Sequence, residues 1–274
     1  MEEYGLELTN NSKASWAFSL PRTETCIGAT DICRKVCYGN GVRYQTAGQK
    51  SKRLRNLRTV ELLLSRGGPE LLAANLVELI DTAKPVDWLA ASVTGVSTVT
   101  PWTLRLHDIG DFHSASYARA WAIAIARRPK CAFWFYTRSF GDRDIFDALT
   151  ELASFPNCRG WLSVDSDNFG SALLAYAKRP EVWQLALLQE EPEQLPNELL
   201  PALREVAAPK DIVSFPVHRG RYHAQPITDK VLYSCPAVLG MHKLEPSSRK
   251  SRPCQTCAFC LPTANAACSV EVQS

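Results

Sequence analysis

The amino-acid sequence predicts an α/β protein built on a largely parallel sheet. Short apolar runs alternate with segments whose leucines recur at helical spacing, and this alternation is typical of parallel strands joined by crossover helices. Hydrophobic residues make up 46% of the 274 positions, which is ample for a buried core. Six strand–helix repeats suit a curved, incomplete (β/α) barrel or an open doubly wound sheet, and the pattern leaves both open.

The predicted strands and helices follow one another in regular order. Each strand is a short apolar run, and the runs cover residues 14–20, 102–107, 131–136, 159–164, 182–188 and 212–217. The helices have leucines at helical spacing or end at turn-forming residues, and they cover residues 46–65, 70–83, 114–127, 142–153, 171–177 and 198–206. Arg66-Gly67-Gly68-Pro69 separates the first two helices, because glycines followed by proline interrupt a helix.

Polar residues follow the predicted strands at the end where an α/β protein builds its active site. Because the carboxyl ends of parallel strands meet at one edge of the sheet, we expect these side chains to share one site. They are Cys26, His107, Asp108, Thr137, Arg138, Asp165, Asp167, His218 and Arg219.

Charge and composition exclude several classes of protein. The net charge of +3 is too mild to indicate nucleic-acid binding by itself. No apolar run approaches the roughly 20 residues that a membrane span needs, and the polar, acidic start MEEYGLELTNNSK is unlike a secretory signal. A soluble cytoplasmic protein is therefore expected. In that reducing compartment clustered cysteines indicate metal sites more often than disulfides, although individual disulfides stay an alternative.

Seven of the ten cysteines fall into two groups with the spacing of metal ligands. The first cysteine set lies in one loop after the first predicted strand and comprises Cys26, Cys33 and Cys37. The second cysteine set lies near the other end of the chain and comprises Cys235, Cys254, Cys257 and Cys260. Three thiolates would leave one iron of a [4Fe–4S] cluster open to a small molecule, whereas four would close it. The pattern therefore predicts one site for chemistry and one for structure or electron supply.

Other ligand arrangements stay open. The first cysteine set could bind zinc with His107 or His113 as fourth ligand, and the second set also suits zinc. Cys268 could replace Cys235 in the second set. The two cysteines that begin predicted strands, Cys131 and Cys158, are interpreted as small buried core residues.

The layout resembles the radical S-adenosylmethionine superfamily, whose partial (β/α)6 barrel carries three cluster cysteines in the loop after its first strand. The usual spacing there is Cys-x3-Cys-x2-Cys, whereas this chain has x6 and x3. The resemblance implies a partial (β/α)6 TIM-like barrel over residues 1–229 and a small Cys-rich extension with an auxiliary cluster over residues 230–274. It also implies that S-adenosylmethionine binds the open [4Fe–4S] cluster and yields a substrate radical. A small-molecule or peptide substrate and an electron donor such as a flavodoxin or ferredoxin would then be partners.

The same resemblance implies roles for residues around the open cluster. Gly110 would permit close backbone approach and Asp111 would accept a hydrogen bond from the ammonium group of the cofactor. The alternative is that Asp111 or Ser114 caps the helix that follows. Tyr38 would stack on an adenine, or would pack against its own loop.

Further candidates lie at the strand ends. Arg138 could hold a carboxylate or phosphate by a bidentate contact, with an ordinary ion pair as the alternative. Ser163 and Asp165 could bind ribose hydroxyls or substrate, although Asp-Ser-Asp-Asn also forms turns readily. His107 is the remaining candidate for a catalytic group.

A second resemblance is carried by the strings CRKVCYGNGVRY, NLRTVELLL, LRLHDIGDFHSASYARAW and FWFYTRSF. They are similar to a phage and bacterial family called gene product eighty-eight. The match covers about residues 15–140, half of the chain, and implies a fold and a site more than a reaction.

A basic segment, residues 50–58, carries five Lys or Arg residues and could contact nucleic acid or a phosphorylated substrate. A helix with leucines inward and charges in water explains it equally. The alternative to an enzyme is a non-catalytic iron–sulfur or zinc protein, either an electron carrier or a module that binds nucleic acid or a protein partner.

Overall fold

The computed structural model describes residues 5–11, 14–83, 102–189, 199–216, 233–235, 254, 257 and 259–262. Its centre is one sheet of eight strands that lie side by side in chain order. The strands are β1 (Thr9–Asn11), β2 (Ser15–Phe18), β3 (Thr103–Leu106), β4 (Ala132–Thr137), β5 (Cys158–Val164), β6 (Trp183–Gln189), β7 (Ile212–Pro216) and β8 (Tyr233–Ser234). Strand β1 pairs antiparallel with β2, and all later neighbours pair in parallel.

Helices occupy the connections between the strands. Among the described residues before β3 are three short helices and one long one, namely α1 (Arg22–Thr25), α2 (Asp31–Val36), α3 (Val42–Gln45) and α4 (Ala47–Ala83). After β3 come α5 (Ala115–Ala126), α6 (Arg143–Ala153), α7 (Phe169–Lys178) and α8 (Leu199–Val206). Helix α4 bends where Gly67 and Gly68 leave helical geometry, so the break predicted before Pro69 is confirmed as a kink.

The predicted α/β class with a largely parallel sheet is confirmed. A doubly wound sheet reverses its strand order at a switch point, whereas these strands run in sequential order, so that alternative is wrong. The sheet is open, with β1 and β8 at its two edges. A closed barrel is therefore not formed by the described strands.

The two faces of the sheet are covered by different parts of the chain. Side chains alternate between faces along a strand, so Phe133 and Phe135 of β4 join the main core with the helices. Trp134 and Tyr136 point the other way and pack against residues of the Cys-rich C-terminal segment. Because a parallel sheet is normally buried on both faces, that segment supplies the cover which the helices do not.

Several features lay beyond the sequence prediction. Strands β1 and β8 are additional, and the segment expected to be a cysteine loop contains the short helix α2. Cys131 and Cys158 are buried in the main core, as expected. Cys268 and the boundary expected at residues 229–230 lie outside the described residues. In the described part of the chain, no helix is both long and apolar enough to cross a membrane.

Candidate functional site

The first cysteine set is carried by a loop that lies across the carboxyl ends of β3, β4 and β5. The loop leaves β2 beside the end of β3, where the Leu20 amide donates to the Ile109 carbonyl oxygen at 2.9 Å. Farther on, Gly28 lies so close to the end of β4 that an added Cβ would be 1.9 Å from the Arg138 carbonyl oxygen. Only a residue without a side chain fits there.

Thr30 joins this loop to the end of β5. Its hydroxyl oxygen accepts from the Cys33 amide at 3.0 Å and so caps the start of α2. The same hydroxyl donates to Asp165 Oδ2 at 2.6 Å. One side chain therefore fixes both the position of a cysteine and the attachment of its loop to the sheet.

Arg138 and Asp165 form a buried ion pair beneath the loop. Arg138 Nη1 donates to Asp165 Oδ2 at 2.6 Å, and the two side chains are 7% and 1% exposed. The other carboxylate oxygen accepts from the Asp167 amide at 3.1 Å. Both residues were expected at the site, and here each is the other's partner. Ser163 is half-buried on β5 and its carbonyl oxygen accepts from the Asn168 side chain.

Asp111 organises the turn after β4. Its Oδ1 accepts from the Phe112 amide and the Thr137 hydroxyl, and its Oδ2 accepts from the Arg138 amide, each at 2.8 Å. It does not cap α5, since Ser114 does so by accepting from the Tyr117 amide. Burial raises the pKa of the Asp111 carboxyl to about 6, against the lowering effect of these hydrogen bonds.

This raised pKa predicts a distinct dependence of stability on pH. Between the ordinary pKa of 3.8 and about 6, the folded state binds more protons at Asp111 than the unfolded state. The contribution of Asp111 is therefore full below pH 3.8 and is lost as pH rises through 6, by about 3 kcal/mol. We expect the free energy of unfolding of Asp111→Asn to lack this fall, as measured by urea denaturation from pH 4 to 7. Parallel pH profiles of the variant and the natural protein would contradict the assignment.

Two other expected site residues, His107 and Gly110, lie in the turn that follows β3. His107 has φ of +63° and packs its ring against Phe112, with Nε2 2.8 Å from the Tyr117 hydroxyl. Burial lowers the pKa of His107 to about 3, so the ring is neutral near pH 7. Gly110 has φ of +88°, and an added Cβ would meet Leu20 atoms at 2.7 Å. Both residues shape the sharp turn after β3.

Tyr38 and Arg105 lie on the cysteine side of that turn. The Tyr38 hydroxyl donates to the Asp108 carbonyl oxygen and accepts from Arg105 Nη2 at 3.2 Å. The residue remains 50% exposed. The ring packs edge to face against Tyr44, with centroids 5.6 Å apart, and the hydroxyl anchors it beside Cys37.

In the first cysteine set, neighbouring thiols raise the pKa of both Cys26 and Cys33. Burial raises the pKa of Cys26, and Asp111, Cys33 and Cys37 raise it further. Burial likewise raises the pKa of Cys33, with the Arg138 guanidinium opposing the change. Among the described residues, however, no three His, Cys, Asp or Glu side chains are already arranged around a single metal ion. The thiols are neighbours without being in mutual ligation geometry.

The second cysteine set lies on the face of the sheet opposite the main core. Arg159 Nη1 donates to the Phe259 carbonyl oxygen at 2.8 Å, and Trp161 Nε1 donates to the Cys260 carbonyl oxygen at 3.1 Å. Burial raises the pKa of Cys260 to about 12, a hydrogen bond from the Tyr136 hydroxyl lowers it, and the thiols of Cys235, Cys254 and Cys257 raise it. Cys235 is thus brought to the closely spaced Cys254, Cys257 and Cys260 beside one aromatic surface.

Arg105 and Tyr136 connect the surroundings of the two cysteine sets. The Arg105 guanidinium lies 5.0 Å from the centroid of the Tyr136 ring and also contacts Tyr38, which follows Cys37. Burial lowers the pKa of Arg105, but the electrostatic effects of Tyr38, Asp108, Tyr136 and Cys254 outweigh it and raise the pKa overall. The Arg105 cation therefore interacts both with Tyr38, which follows Cys37, and with Cys254 of the second cysteine set.

Sequence analysis did not identify four residues on which this arrangement depends: Gly28, Thr30, Arg105 and Tyr136. Thr30 before Asp31 is a recognisable helix N-cap. Arg105 was visible as a charge inside an otherwise apolar strand, WTLRLH. Gly28 and Tyr136 carry no local signal, since their neighbours come from distant parts of the chain.

Comparisons with known proteins agree with the second resemblance. A family model described as Gene product 88 matches residues 3–263. The Gene 88 protein of Mycobacterium phage L5 is 30% identical over 153 residues, which are 54% of this chain and 55% of that protein. The Gene 88 protein of Mycobacterium phage D29 is 31% identical over 114 residues, 42% of each chain. The chain thus spans about half the length of these curated relatives or less. No solved structure matches.

Proposed function

The chain belongs to the gene product 88 family, and we propose that it is an iron–sulfur enzyme with two [4Fe–4S] clusters, similar in design to radical S-adenosylmethionine enzymes. The observation that carries the proposal is the gathering of each cysteine set in space, the first at the strand ends and the second on the face of the sheet opposite the main core. Soft thiolate ligands grouped in this way are the usual donors for iron–sulfur clusters.

The two cysteine sets differ in the number of thiols they contain, and this supports different roles for the two clusters. Cys26, Cys33 and Cys37 would hold one cluster and leave one iron for a small molecule. When bound there, the cluster would supply an electron to that molecule. The second cysteine set would hold a closed cluster that relays electrons or anchors the C-terminal segment.

The chain's own residues would position the open site. Thr30 holds Cys33 through the α2 cap, and the Arg138–Asp165 pair fixes Thr30. Arg138 would also offset the negative charge of thiolates next to it. These contacts would hold the cysteine loop in one position. A reactive site needs such support so that its ligands stay correctly placed.

S-adenosylmethionine is the narrower part of the proposal. The Asp111 carboxylate is 5% exposed and already accepts three hydrogen bonds, so it does not fit as the partner of the cofactor's amino group. Tyr38, with its half-exposed ring beside Cys37, supports stacking of an adenine.

We extend the proposal to the fold as a partial (β/α)6 barrel. Sequential strand order is the order of such barrels, and the helices share one core with one face of the sheet. The clusters of buried residues on the opposite face contain no residue of α4 to α8. The second cysteine set would then fill the concave side.

Iron content tests the proposal directly. Protein purified without oxygen is expected to contain about eight irons and eight sulfides per chain, and Cys33→Ala or Cys257→Ala about half of each. Cys158→Ala is the matched control, because Cys158 is a buried cysteine of the helix-side core. Elemental analysis gives the count, and electron paramagnetic resonance of reduced protein with and without S-adenosylmethionine shows whether the open site binds it.

Three results would contradict the proposal. Zinc without iron would leave a structural metalloprotein. Retention of eight irons in Cys33→Ala would show that the first cysteine set does not hold a cluster. Equal loss of iron in Cys158→Ala would show that the losses reflect misfolding.

A further inference from the structure

A polar cleft opens beside the first cysteine set, between α1 and the start of α4. Its volume is about 230 Å³. Three cations line it, Arg22, Lys50 and Arg53, together with the single carboxylate of Glu24. We call this feature the basic cleft. Its excess of positive charge is unusual on a chain whose overall charge is only +3.

Arg53 is the most informative residue of the basic cleft. It is 6% exposed, and its one hydrogen bond within the described part runs from Nη2 to the Tyr44 carbonyl oxygen at 2.5 Å. A guanidinium has five N–H donors, so most of its capacity is unused. Burial lowers the pKa of Arg53, the Asp108 carboxylate and Tyr44 oppose this change without Asp108 forming an ion pair, and the nearby Arg22 guanidinium lowers the pKa as well. A buried cation that no carboxylate contacts directly is costly, and an anion bound in the cleft would reduce that cost.

Two cationic neighbours of Arg53 on α4, Lys52 and Arg55, form ion pairs with a carboxylate. Lys52 Nζ lies 2.5 Å from Glu7 Oε1, and Arg55 Nη2 lies 2.6 Å from Glu7 Oε2. Among the described carboxylates, none lies within ion-pair distance of Lys50, Arg53 or Arg22. The basic segment is therefore divided: part is neutralised by Glu7, and part faces a concave site. A uniform basic face for nucleic acid does not describe it.

We propose that the basic cleft binds the phosphate group of a small phosphorylated molecule. The planar fork of a guanidinium matches phosphate geometry, and Lys50 adds a mobile ammonium. The volume lies below the range of about 300–1,000 Å³ typical of sites that enclose drug-sized ligands, so the phosphate enters and the rest of the molecule extends outward.

The basic cleft shares a wall with the first cysteine set. Gly39 and Ile109 line the cleft, and a Cβ added to Gly39 would lie 3.2 Å from Cys37 Sγ. A ligand held by its phosphate would thus extend from a point one residue layer away from the cysteines. The inference does not depend on metal, because none of the cleft residues is a cysteine.

Calorimetric titration at constant ionic strength tests the inference, with inorganic phosphate, adenosine monophosphate and a short single-stranded oligonucleotide as probes. Phosphate and the nucleotide are expected to bind saturably, and Lys50→Gln to raise both dissociation constants roughly tenfold. Lys52→Gln is the matched control, since it removes the same charge two residues away outside the cleft. It should change either constant less than twofold.

Two outcomes would overturn the inference. One is equal weakening by Lys50→Gln and Lys52→Gln, which would indicate only a general effect of charge. The other is binding of the oligonucleotide without binding of phosphate or the nucleotide, which would indicate a nucleic-acid surface. Since iron content does not enter these measurements, a negative result here leaves the cluster proposal untouched.

Discussion

Replacement of Asp165 by asparagine is expected to destabilise the protein by about 3–5 kcal/mol, because it leaves a buried guanidinium without its counter-charge. Arg138 Nη1 lies 2.6 Å from Asp165 Oδ2, and both side chains are almost fully buried. The substitution also weakens the acceptor of the Thr30 hydroxyl, which caps the helix that carries Cys33. Urea denaturation monitored by tryptophan fluorescence measures the loss.

The chain offers a matched control for this substitution. Asp147 pairs with Arg143 on the surface of α6 at 3.9 Å, with the two side chains 67% and 92% exposed. Asp147→Asn should cost less than about 0.5 kcal/mol, since exposed ion pairs add little. If Asp165→Asn proves as mild as Asp147→Asn, the buried pair does not hold the loop as described.

Replacement of Gly28 by alanine is expected to displace the cysteine loop from the end of β4. The new Cβ would lie 1.9 Å from the Arg138 carbonyl oxygen, and a backbone atom cannot rotate out of the way. Overpacking of this kind costs about 1–3 kcal/mol. We also expect faster hydrogen exchange at the Cys33 amide, whose bond to Thr30 depends on the loop's position.

Gly170→Ala is the control for this experiment. Gly170 lies in α7, and an added Cβ would meet nothing within 4 Å. Alanine there should leave stability unchanged or raise it by up to about 1 kcal/mol, because it is the better helix former. Unchanged exchange at Cys33 in Gly28→Ala would show that the loop tolerates the extra atom.

Local sequence patterns predicted much of the fold. The apolar runs before and after each helix identified all of β2 to β7, and Ser114 and Asp142 begin their helices as N-caps. Strands β1 and β8 were missed because they are only three and two residues long and carry no apolar run. Such short edges are specified by their neighbours rather than by their own composition.

Local patterns placed polar residues at the strand ends without indicating which partners their side chains would meet. Asp111 was expected to bind a cofactor or cap a helix, and instead it accepts from Thr137 and Arg138, more than 25 positions away. His107 was expected at the reaction centre, yet its positive φ turns the ring into the aromatic core with Tyr117. Both residues belong to the sharp turn after β3, in which His107 and Gly110 have positive φ. The spacing of residues in the sequence does not indicate where such a turn places the side chains.

By itself the sequence determined the strand–helix alternation, the kink in α4 and the two cysteine sets, because each depends on residues a few positions apart. Which of these features contact one another was decided only by the tertiary structure. Sequential strand order brings Thr30 to Asp165 across 135 positions and Arg159 to Phe259 across 100. Such contacts depend on how crossover connections stack the strands, since local propensities act within single elements while burial of both sheet faces acts on the whole chain.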